Sequence, residues 1–587
     1  MMKWVLAESD DHVVAALSEL AGIHPLIARL MVNRGVSDPS TARSFLACDL
    51  SSLTKPDLFL HMNKAVHRIR KAVSAREKIV VYGDYDVDGV TGAAVLYLIL
   101  GSLGANVHCY IPNRLTEGYG VNISALDNIK SDGAGLVITV DCGITAHKEA
   151  THARSLDLDV IVTDHHEFTH PDAGSLETGK ETMLPDVYAV LHPALLSTNA
   201  SSDEKNRVGV LTGVGVAFKL GQALLDVPAQ DERLKQYLDL VALGTIADVG
   251  RITGENRILI KHGLDILSGG APANRLGIAA LKQVSCLEGK KIGVGNVGFT
   301  IAPRINASGR LSRADSAFRL LTTTSSEEAG ELATTLDAVN RERQAVEEGI
   351  TAQARQQCAE IDTRHAGALV LSSNEWHTGV IGIVASRIVE EFYRPTALIS
   401  IKEGVGKGSA RSIPGFNLYE GLTACQDLLL GFGGHKYAAG FTIREDCISA
   451  FRERLSAIVL ERIGPQGFIR TLSVDGATNL GDLTLDLMQE IDKLAPFGQG
   501  NPEPRLGARD LEVLSTRIVG KNHLKLLLRQ GTGPAFGAIA FKKGDLLDRQ
   551  VRKGSRIAAV FTPRINTWNG NVSVDLEIRD LKNEKQP

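Results

Sequence analysis

Short apolar runs alternate with helix-like segments over residues 78–166. The runs KIVVY, NVHCY, LVITV and DVIVT are rich in β-branched residues, and the stretches between them are long enough to form helices. Strands separated in this way are typical of βαβ units, and continuously apolar strands are typical of a parallel sheet covered on both faces. The pattern therefore predicts an α/β fold class, with a parallel-sheet lobe over residues 71–324.

The rest of the chain has other patterns. Residues 1–70 predict an N-terminal helical region. Residues 325–361 are polar with apolar positions at helical spacing, which predicts a long connecting helix. Residues 362–464, with their glycine and serine clusters, predict a second α/β lobe, and residues 465–587 alternate strand-like runs with glycine turns.

Carboxylates and histidines follow the apolar runs of the first lobe. They are Asp84, Asp86 and Asp88 after KIVVYG, Asp141 after LVITV, Asp164, His165 and His166 after DVIVT, and Asp248 after a later apolar run. The carboxyl ends of parallel strands meet at one edge of a sheet, where ligands bind. An aspartate before a helix is also a good N-cap, which explains any single one of them equally well. Four such segments with paired histidines are better explained by metal ions.

The stretch DYDVDG also matches the start of a calcium-binding EF-hand loop. Such a loop needs a glutamate at position twelve and a helix before it. Counted from Asp84, position twelve is Val95, and the preceding KIVVY is strand-like. The calcium loop is therefore excluded, whereas an acidic turn without an ion stays open on this stretch alone.

Aspartate and histidine without cysteine form an oxygen-rich ligand set that suits Mn²⁺ or Mg²⁺. Several carboxylates with one or two histidines can hold two such cations, and Asp141 on the central strand is the natural bridge. Two neighbouring cations support displacement at phosphorus. Hydrolysis of a phosphate ester or anhydride is therefore the predicted class of reaction.

Composition narrows the class of protein. A chain of 587 residues with 44% hydrophobic and 22% charged residues is expected to form three or four globular domains. Seven cysteines without a CxxC pair indicate neither a disulfide framework nor a zinc ribbon, and they favour a cytoplasmic location. Only Ala93–Leu100 is continuously apolar within a longer uncharged stretch, so a buried helix is expected there and no membrane association.

Charge is unevenly distributed along the chain. Leu511–Pro587 holds 14 Lys and Arg against 7 Asp and Glu, although the whole chain has a net charge of −4. An acidic body with a basic C-terminal region suggests that this region contacts a polyanion. A solvated basic surface is the alternative.

Nine motifs in order carry a resemblance to a known family. YGDYDVDG, VDCG, TDHHE and GTIADV resemble successive motifs of the DHH phosphoesterase superfamily. IAPRINASGRL, LDAVNRERQ, WHTGVIGIVASRI, GSARSIPGFNL and GGHKYAAGF resemble those of its bacterial single-strand-specific 5′→3′ DNA exonucleases. The resemblance covers about residue 75 to the C-terminus, and it implies a DHH lobe, a DHH-associated lobe and a C-terminal OB-like β-barrel.

The resemblance also implies a set of metal ligands. They are Asp86, Asp88, Asp141, His165 and Asp248, with His166 contacting the substrate phosphate. Many members of the superfamily have a histidine four residues before the position of Asp86, where this chain has Tyr82. Tyrosine is a poor ligand for these cations, so we expect Asp84 to take that place. Tyr82 stays the alternative.

Further residues are expected to bind nucleic acid by the same resemblance. Arg114, Arg304 and Arg310 would contact backbone phosphates, for which the planar guanidinium is suited. Ser409 and Arg411 would receive the DNA end, and His377, Gly434 and His435 would also bind the nucleic acid or its phosphates. The expected catalytic set is Asp141, His166, Arg304 and Arg310. Alternatively, the arginines form surface ion pairs, the glycines form a tight turn, and His377 is part of the core.

The basic C-terminal region carries candidate stacking residues. Phe536, Phe541, Phe561 and Trp568 lie at strand spacing among lysines and arginines. Aromatic faces stack on unpaired bases while positive charge follows the backbone. Because aromatic residues at such spacing are more often core, we expect only one or two of them to contact a base.

The hypothesis that follows is a two-metal exonuclease that degrades single-stranded DNA from its 5′ end to mononucleotides, in recombination and repair. By resemblance, its partners would be single-strand-binding protein and a recombination helicase, and it would act as a monomer. Two alternatives remain, a relative that cleaves small substrates and a catalytically inactive strand-binding protein. The basic third region counts against the first, and the intact ligand set against the second.

Overall fold

The computed structural model describes residues 2–113, 117–168, 184–271, 275–311, 315–362, 365–547, 551–568 and 570–584. At Ser308, Arg310, Leu311, Pro465, Gln466 and Trp568 it describes the backbone alone. The chain forms two compact units. The smaller comprises Met1–Lys3, Pro303–Ser316 and Glu331–Thr471, and the larger comprises Trp4–Ala302, Ala317–Gly330 and Leu472–Pro587.

The strands are β1 (Lys3–Leu6), β2 (Lys78–Gly83), β3 (Asn106–Tyr110), β4 (Ala134–Val140), β5 (Asp159–Thr163), β6 (Ala189–Leu191), β7 (Leu369–Ser373), β8 (Thr396–Lys402), β9 (Val405–Arg411), β10 (Leu429–Gly434), β11 (Ala438–Arg444), β12 (Thr471–Val474), β13 (Gly476–Ala477), β14 (Leu506–Val519), β15 (His523–Gln530), β16 (Ala535–Ala540), β17 (Arg556–Trp568) and β18 (Asn571–Asn583).

The helices are α1 (Asp11–Ala21), α2 (Pro25–Val32), α3 (Pro39–Ala47), α4 (Met62–Ser74), α5 (Val87–Ser102), α6 (Ile123–Ser131), α7 (His147–Ser155), α8 (Ser202–Val208), α9 (Gly213–Leu225), α10 (Glu232–Lys235), α11 (Leu238–Ala247), α12 (Gly254–Leu267), α13 (Leu276–Val284), α14 (Val294–Asn296), α15 (Ala302–Leu311), α16 (Asp315–Thr322), α17 (Ser326–Glu360), α18 (Ile381–Phe392), α19 (Leu418–Thr423), α20 (Ile448–Ile463) and α21 (Leu485–Asp492). A π-helical turn, Val297–Ile301, precedes α15.

A parallel sheet in the order β3-β2-β4-β5-β6 forms the centre of the larger unit. Helices α6 and α7 cover one face, where Val80 and Val137 are buried with Leu126. Helices α5 and α9 cover the other, and a Cβ on Gly92 of α5 would lie 2.6 Å from Val140 Cγ1. Both faces are covered, which explains the continuously apolar strands. We call this part, from α4 to α12, the sheet lobe.

The smaller unit has a mixed sheet in the order β10-β11-β9-β8-β7. Strands β7 and β8 are parallel, and the remaining pairs are antiparallel. One face packs Leu369 and Leu398 with α18 and with Ile350 of α17, and the other packs Phe441 with Phe451 of α20. The long helix predicted over residues 325–361 is confirmed as α17.

The C-terminal part of the larger unit is a closed five-stranded barrel, in which each of β14-β15-β16-β18-β17 pairs with the next and β17 returns to β14. Inward positions alternate along the strands, as Leu524, Leu526 and Leu528 show on β15. We call β13–β18 with α21 the barrel domain. The α/β class with a parallel-sheet lobe, a second α/β lobe and a C-terminal OB-like barrel is thus confirmed.

The N-terminal helices share a core with the barrel domain. Leu17 and Met31, from α1 and α2, are buried in one cluster with Met488 and Leu506. By contrast, α4 belongs to the sheet lobe, where it packs on α9 and β6. The first 70 residues are therefore divided between two cores, a long-range arrangement that local sequence patterns do not contain.

In the described residues, no single helix is long and apolar enough to cross a membrane. One pair, Ser202–Val208 and Gly213–Leu225, passes by length and composition only and is bent by 115°. The apolar run Ala93–Leu100 belongs to α5 and is mostly buried in the sheet lobe.

A buried ion pair ties α9 to α12. Lys219 Nζ lies 2.7 Å from a carboxylate oxygen of Glu255, and both side chains are fully buried. The ammonium group also donates to the carbonyl of Thr54, whose amide donates to Glu255. Because the two buried charges compensate each other, removing one leaves an uncompensated charge in the core.

We expect Lys219→Met to lower the free energy of unfolding by about 3–5 kcal/mol, the usual effect of breaking a buried pair from one side. Lys148→Met is the matched control, because Lys148 is exposed on α7, and its effect should stay within about 0.5 kcal/mol. Urea unfolding followed by circular dichroism measures both. Equal midpoints for the two variants would contradict this expectation.

Candidate metal centre and strand-binding surfaces

Three aspartates occupy equivalent positions at the carboxyl edge of the parallel sheet. Asp84, Asp141 and Asp164 each follow a strand by one residue, and each backbone N–H extends the ladder to the neighbouring strand, with N···O distances of 3.1, 2.9 and 3.1 Å. Asp141 has a φ of 63°. That left-handed conformation is unusual for a residue with a side chain, and it turns the chain away from the strand direction at the centre of the edge.

The DYDVDG segment forms a tight turn into helix α5. Asp86 is the N-cap and accepts a hydrogen bond from Gly89 N–H at 3.1 Å. A Cβ on Gly89 would lie 2.5 Å from the carbonyl oxygen of Asp84, so the turn has no space for a side chain there. Asp86 is thus an N-cap as well as a candidate ligand, and the same turn brings Asp88 into the buried first turn of the helix.

The start of helix α9 holds the Asp88 carboxylate. The amides of Gly213 and Val214 donate to it at 2.7 and 3.0 Å, and Thr212 Oγ1 donates at 3.2 Å. Helix N-termini favour negative charge. A Cβ on Gly213 would lie 2.6 Å from Asp141 Cβ, so glycine lets this helix approach both carboxylates.

Three groups of side chains in the described residues each bring ligand atoms within 4.8 Å of one another. They are Asp84, Asp86 and Asp141; Asp88, His165 and Asp248; and Asp141, His165 and His166. Asp141 and His165 each belong to two groups. This sharing is the arrangement expected of ligands around two neighbouring cations.

Burial and the neighbouring negative charges raise the pKa values of three of these carboxylates. Burial, with the charges of Asp88 and Asp86, raises the pKa of Asp141 well above its ordinary value. Burial and Asp86 raise the pKa of Asp88 to about 7, and burial and Asp88 raise that of Asp248 to about 8. Burial lowers the pKa of His165 to about 4, so its imidazole is neutral and available as a ligand.

The donor set fits divalent cations. Asp141 Oδ1 and His165 Nε2 are 3.1 Å apart and buried, yet neither makes a hydrogen bond within the described part of the chain. Buried polar atoms are normally satisfied. Atoms left in this state at a carboxylate cluster, with oxygen and imidazole donors and no thiolate, match Mn²⁺ or Mg²⁺.

Asp164 organises the two histidines. Its carboxylate accepts hydrogen bonds from Ile144 N–H at 2.9 Å, from His165 N–H at 2.7 Å and from His166 Nδ1 at 2.8 Å. Although burial opposes it, this contact raises the pKa of His166 to about 9. The Tyr119 hydroxyl lies 3.1 Å from the same Nδ1 atom. Asp164 thus fixes the orientation of His166.

The Tyr82 side chain is engaged away from the ligand groups. Its ring is fully buried and stacks on Tyr110, with 5.2 Å between centroids. Its hydroxyl donates to the Gly120 carbonyl at 3.0 Å and accepts from Asn122 at 3.2 Å. Asp84, in contrast, belongs to one of the ligand groups. The geometry favours Asp84 over Tyr82 for the place of the missing histidine.

The structure describes the three arginines that are expected to contact phosphate to different extents. Arg304, on α15, forms an ion pair with Asp337 at 2.9 Å, so part of its guanidinium is engaged within the smaller unit. Arg310 lies on the same helix, but its side chain is outside the described residues, as is the whole of Arg114. Their contact with phosphate stays a prediction.

The exposed glycines of β10 and β11 form a glycine-lined surface at one edge of the sheet in the smaller unit. Ser409 and Arg411 of β9 lie in register with Gly440 and Ala438 of β11, and Arg411 Nη1 donates to Ser409 Oγ at 3.2 Å. A Cβ on Gly382, at the start of α18, would lie 2.9 Å from Ser409 Oγ. The two side chains are thus held close together beside the helix.

Gly434 and His435 form the exposed turn at the end of β10. Gly434 has a φ of 139°, and a Cβ there would lie 2.5 Å from the Ala438 carbonyl. The tight-turn alternative therefore applies to Gly434, while His435 projects from an exposed position. His377 is half-buried and accepts from Gly379 N–H at 3.1 Å. The preceding Trp376, not His377, fills the core.

The barrel aromatics separate into core and surface. Phe561 and Phe536 are buried in the barrel core. Phe541 is 50% exposed and meets His523 edge-on, at 5.2 Å between ring centroids. The Trp568 side chain lies outside the described residues. Within the described residues, Phe541 is the candidate that is exposed enough to stack on a base. Arg517, Lys521, Lys525 and Lys542, on β14–β16 and the adjoining turns, are exposed or half-buried.

Comparison with known proteins identifies the family. Residues 78–245 match the DHH family N-terminal domain, residues 365–461 the DHHA1 domain, and residues 474–580 the RecJ OB domain. The single-stranded-DNA-specific exonuclease RecJ of Bacillus subtilis (strain 168) is 40% identical, over 99% of this chain and 70% of its own length. The protein of the same name from Escherichia coli (strain K12) is 35% identical, over 96% of each chain.

The chain belongs to the RecJ family. Two solved RecJ structures from Thermus thermophilus, one in complex with Mn²⁺ and one with Mg²⁺, are similar over 100% of this chain. The alignments cover 80% and 79% of those chains, with TM-scores of 0.80 and 0.74, and each shares 30% sequence identity.

Sequence reasoning missed two contributors to this RecJ-family site. Asp164 was visible as a strand-end aspartate, but nothing in the sequence distinguishes a carboxylate that binds a cation from one that binds backbone amides. Tyr119 sits between Gly118 and Gly120, both with a φ of 84°. The GYG pattern, which allows a ring to be presented from a tight strand-to-helix connection, is the signal that could have found it.

We expect Asp84→Asn to raise the Mn²⁺ concentration needed for half-maximal binding by about 10-fold, because replacing a partner or ligand of a metal site typically costs 10–100-fold. Tyr82→Phe keeps the buried ring and removes only the hydroxyl, so metal binding should be nearly unchanged. Isothermal titration of each variant with Mn²⁺ makes the comparison. The reverse pattern would place the tyrosine oxygen at the cation.

Proposed function

We propose that this chain is a two-metal exonuclease that degrades single-stranded DNA from the 5′ end to mononucleotides, in DNA recombination and repair. The observation that carries the proposal is the set of three ligand groups at the carboxyl edge of the sheet, which are linked by Asp141 and His165. The names of the RecJ relatives, single-stranded-DNA-specific exonucleases, support the substrate class and the mode of attack.

Two divalent cations, Mn²⁺ or Mg²⁺, are the proposed cofactors. Asp84 and Asp86 would hold one, while Asp88, His165 and Asp248 would hold the other, with Asp141 shared between them. When bound between these residues, the cations would supply an activated water and a positive charge beside the phosphate oxygens. The chain's own contribution is a fixed donor geometry, since α9 amides hold Asp88 and strand β5 holds the backbone of Asp141.

His166 is the proposed substrate contact beside the cations. Asp164 keeps its Nδ1 occupied by a hydrogen bond, which fixes the ring and leaves Nε2 as the donor toward the substrate phosphate. A cationic imidazole at that position stabilises negative charge on the phosphate or on the leaving oxygen. The Tyr119 hydroxyl, 3.2 Å from Nε2, limits how far the ring can rotate.

The remaining contacts would guide the strand. We propose that the smaller unit receives the 5′ end at its glycine-lined surface, through Ser409, Arg411, His377, Gly434 and His435. Arg114, Arg304 and Arg310 are proposed to contact backbone phosphates. The basic residues around Phe541 would bind the strand farther from the cut.

Two alternative functions are weaker. An inactive strand-binding protein would have no need of a neutral buried imidazole among carboxylates, which His165 provides here. An enzyme for small phosphate esters would have no use for the basic barrel surface. Single-strand-binding protein, a recombination helicase and a monomeric state are expected from the family resemblance alone.

Digestion of end-labelled oligonucleotides tests the proposal. Single-stranded DNA labelled at the 5′ end should release labelled mononucleotide at once in Mn²⁺ or Mg²⁺, whereas a 3′ label should remain on long products until late. Duplex DNA and RNA should be degraded much more slowly. Early release of a 3′ label would show degradation from the 3′ end. Release of internal fragments would show an endonuclease instead of an exonuclease.

We expect Asp141→Ala to reduce turnover by about 100- to 1,000-fold, the usual cost of removing a main electrostatic contributor, while the fold stays intact. Its carboxylate belongs to two ligand groups, so binding of both cations should weaken. Asp132→Ala is the control, since Asp132 is an exposed carboxylate at the end of α6. Turnover of Asp141→Ala near that of the control in saturating Mn²⁺ would refute the two-metal assignment.

We expect Phe541→Ala to weaken binding of a long single strand by about 5- to 150-fold, because a stacked base contributes about 1–3 kcal/mol. Binding of a dinucleotide should not change. Val572→Ala is the control, because Val572 is a similarly exposed apolar side chain on the barrel. Fluorescence anisotropy with Ca²⁺ in place of Mn²⁺ measures binding without turnover. Equal affinities for the two variants would remove Phe541 from the strand path.

A further inference from the structure

A loop of the barrel domain lies directly against the turn that follows Asp248. We call Pro496–Asn501 the barrel loop and Asp248–Ile252 the Asp248 turn. Ile252 N–H donates to the carbonyl of Gln499 at 2.7 Å. A Cβ on Gly498 would lie 2.5 Å from Ile252 Cδ1. A methyl group added at Gly498 would therefore have to displace the Ile252 side chain, whose Cγ1 would also lie 3.2 Å away.

The barrel loop is itself firmly held. The Asn501 amide donates to the carbonyls of Leu494 and Pro496 at 2.9 and 2.8 Å, and it is buried. Arg34, in the turn after α2, donates to the Asn501 side-chain oxygen at 2.8 Å. Arg257 of α12 donates to two carbonyls of the segment just before the loop, at 2.9 Å each. The loop is thus a rigid surface for the Asp248 turn.

The opposite side of the Asp248 turn meets the residues that hold Asp88. A Cβ on Gly250 would lie 2.7 Å from Thr212 Cγ2 and 3.0 Å from Thr245 Cγ2. The Thr212 hydroxyl in turn lies 3.2 Å from Asp88 Oδ1 and 3.2 Å from Thr245 Oγ1. The turn is confined between the barrel loop on one side and the Asp88 contacts on the other.

We propose that the barrel loop is a positioning element for the Asp248 carboxylate, so that the barrel domain takes part in building the metal centre as well as in binding the strand. This inference rests on the proposed function, in which Asp248 is a ligand. Close-packed contacts transmit a displacement instead of absorbing it. A metal ligand must be held within about 0.5 Å of its productive position, so a shift of Ile252 by a methyl group's width disturbs Asp248 four residues before it.

The test is the variant Gly498→Ala in the full chain. Titration calorimetry with Mn²⁺, without nucleic acid, should show one of two binding steps weakened by about 10- to 100-fold, the usual effect of disturbing a ligand's support. The other step should be unchanged. Gly481→Ala is the control, because that glycine, in the same domain, has nothing within 4 Å of its Cβ position. The control should bind Mn²⁺ as the wild type does.

A second substitution separates positioning from general damage. Ile252→Val removes Cδ1, the atom nearest to the new methyl group, so Gly498→Ala with Ile252→Val should recover the wild-type Mn²⁺ affinity. Unchanged binding in Gly498→Ala overturns the inference. Loss of both binding steps with a lower unfolding temperature and no recovery also overturns it. A wild-type chain that binds no Mn²⁺ would instead refute the proposed function.

Discussion

Mutual repulsion among buried carboxylates at one edge of the parallel sheet is the constraint on which the rest of the structure depends. Asp84, Asp88 and Asp141 are almost fully buried within a few residues of strand ends. Each charge taken from water is costly unless it is paired or neutralised. The raised pKa values of Asp88, Asp141 and Asp248 express that cost, and divalent cations are the counter-charges that fit the oxygen-rich donor set.

Backbone and packing hold the cluster against this repulsion. The N-terminus of α9 reaches Asp88 because Gly213 lets the helix approach, and Asp164 uses its carboxylate for amides and for His166. Glycine and strand-end geometry therefore determine the site as much as the ligands do. The barrel loop extends the same principle, because its carbonyl at Gln499 supports the segment that carries Asp248.

Local patterns predicted much of this. Strand ends of a parallel sheet meet at one edge, so the order of apolar runs along the sequence was enough to place Asp84, Asp141 and His165 together. Other features depend on packing that no local pattern contains. Phe536 and Phe541 lie in the same alternating region, yet one is buried and the other half exposed. The ion pair of Arg304 with Asp337 likewise joins residues on two helices.

The core shared by helices α1–α3 and the barrel has a consequence for synthesis of the chain. Leu17 and Met31 leave the ribosome long before Leu506, their partner in the cluster, has been made. At about 5–20 residues per second, the delay is of the order of tens of seconds. Throughout that interval the nascent N-terminus presents apolar faces that only the barrel later covers, and any pause in translation before the barrel prolongs the exposure.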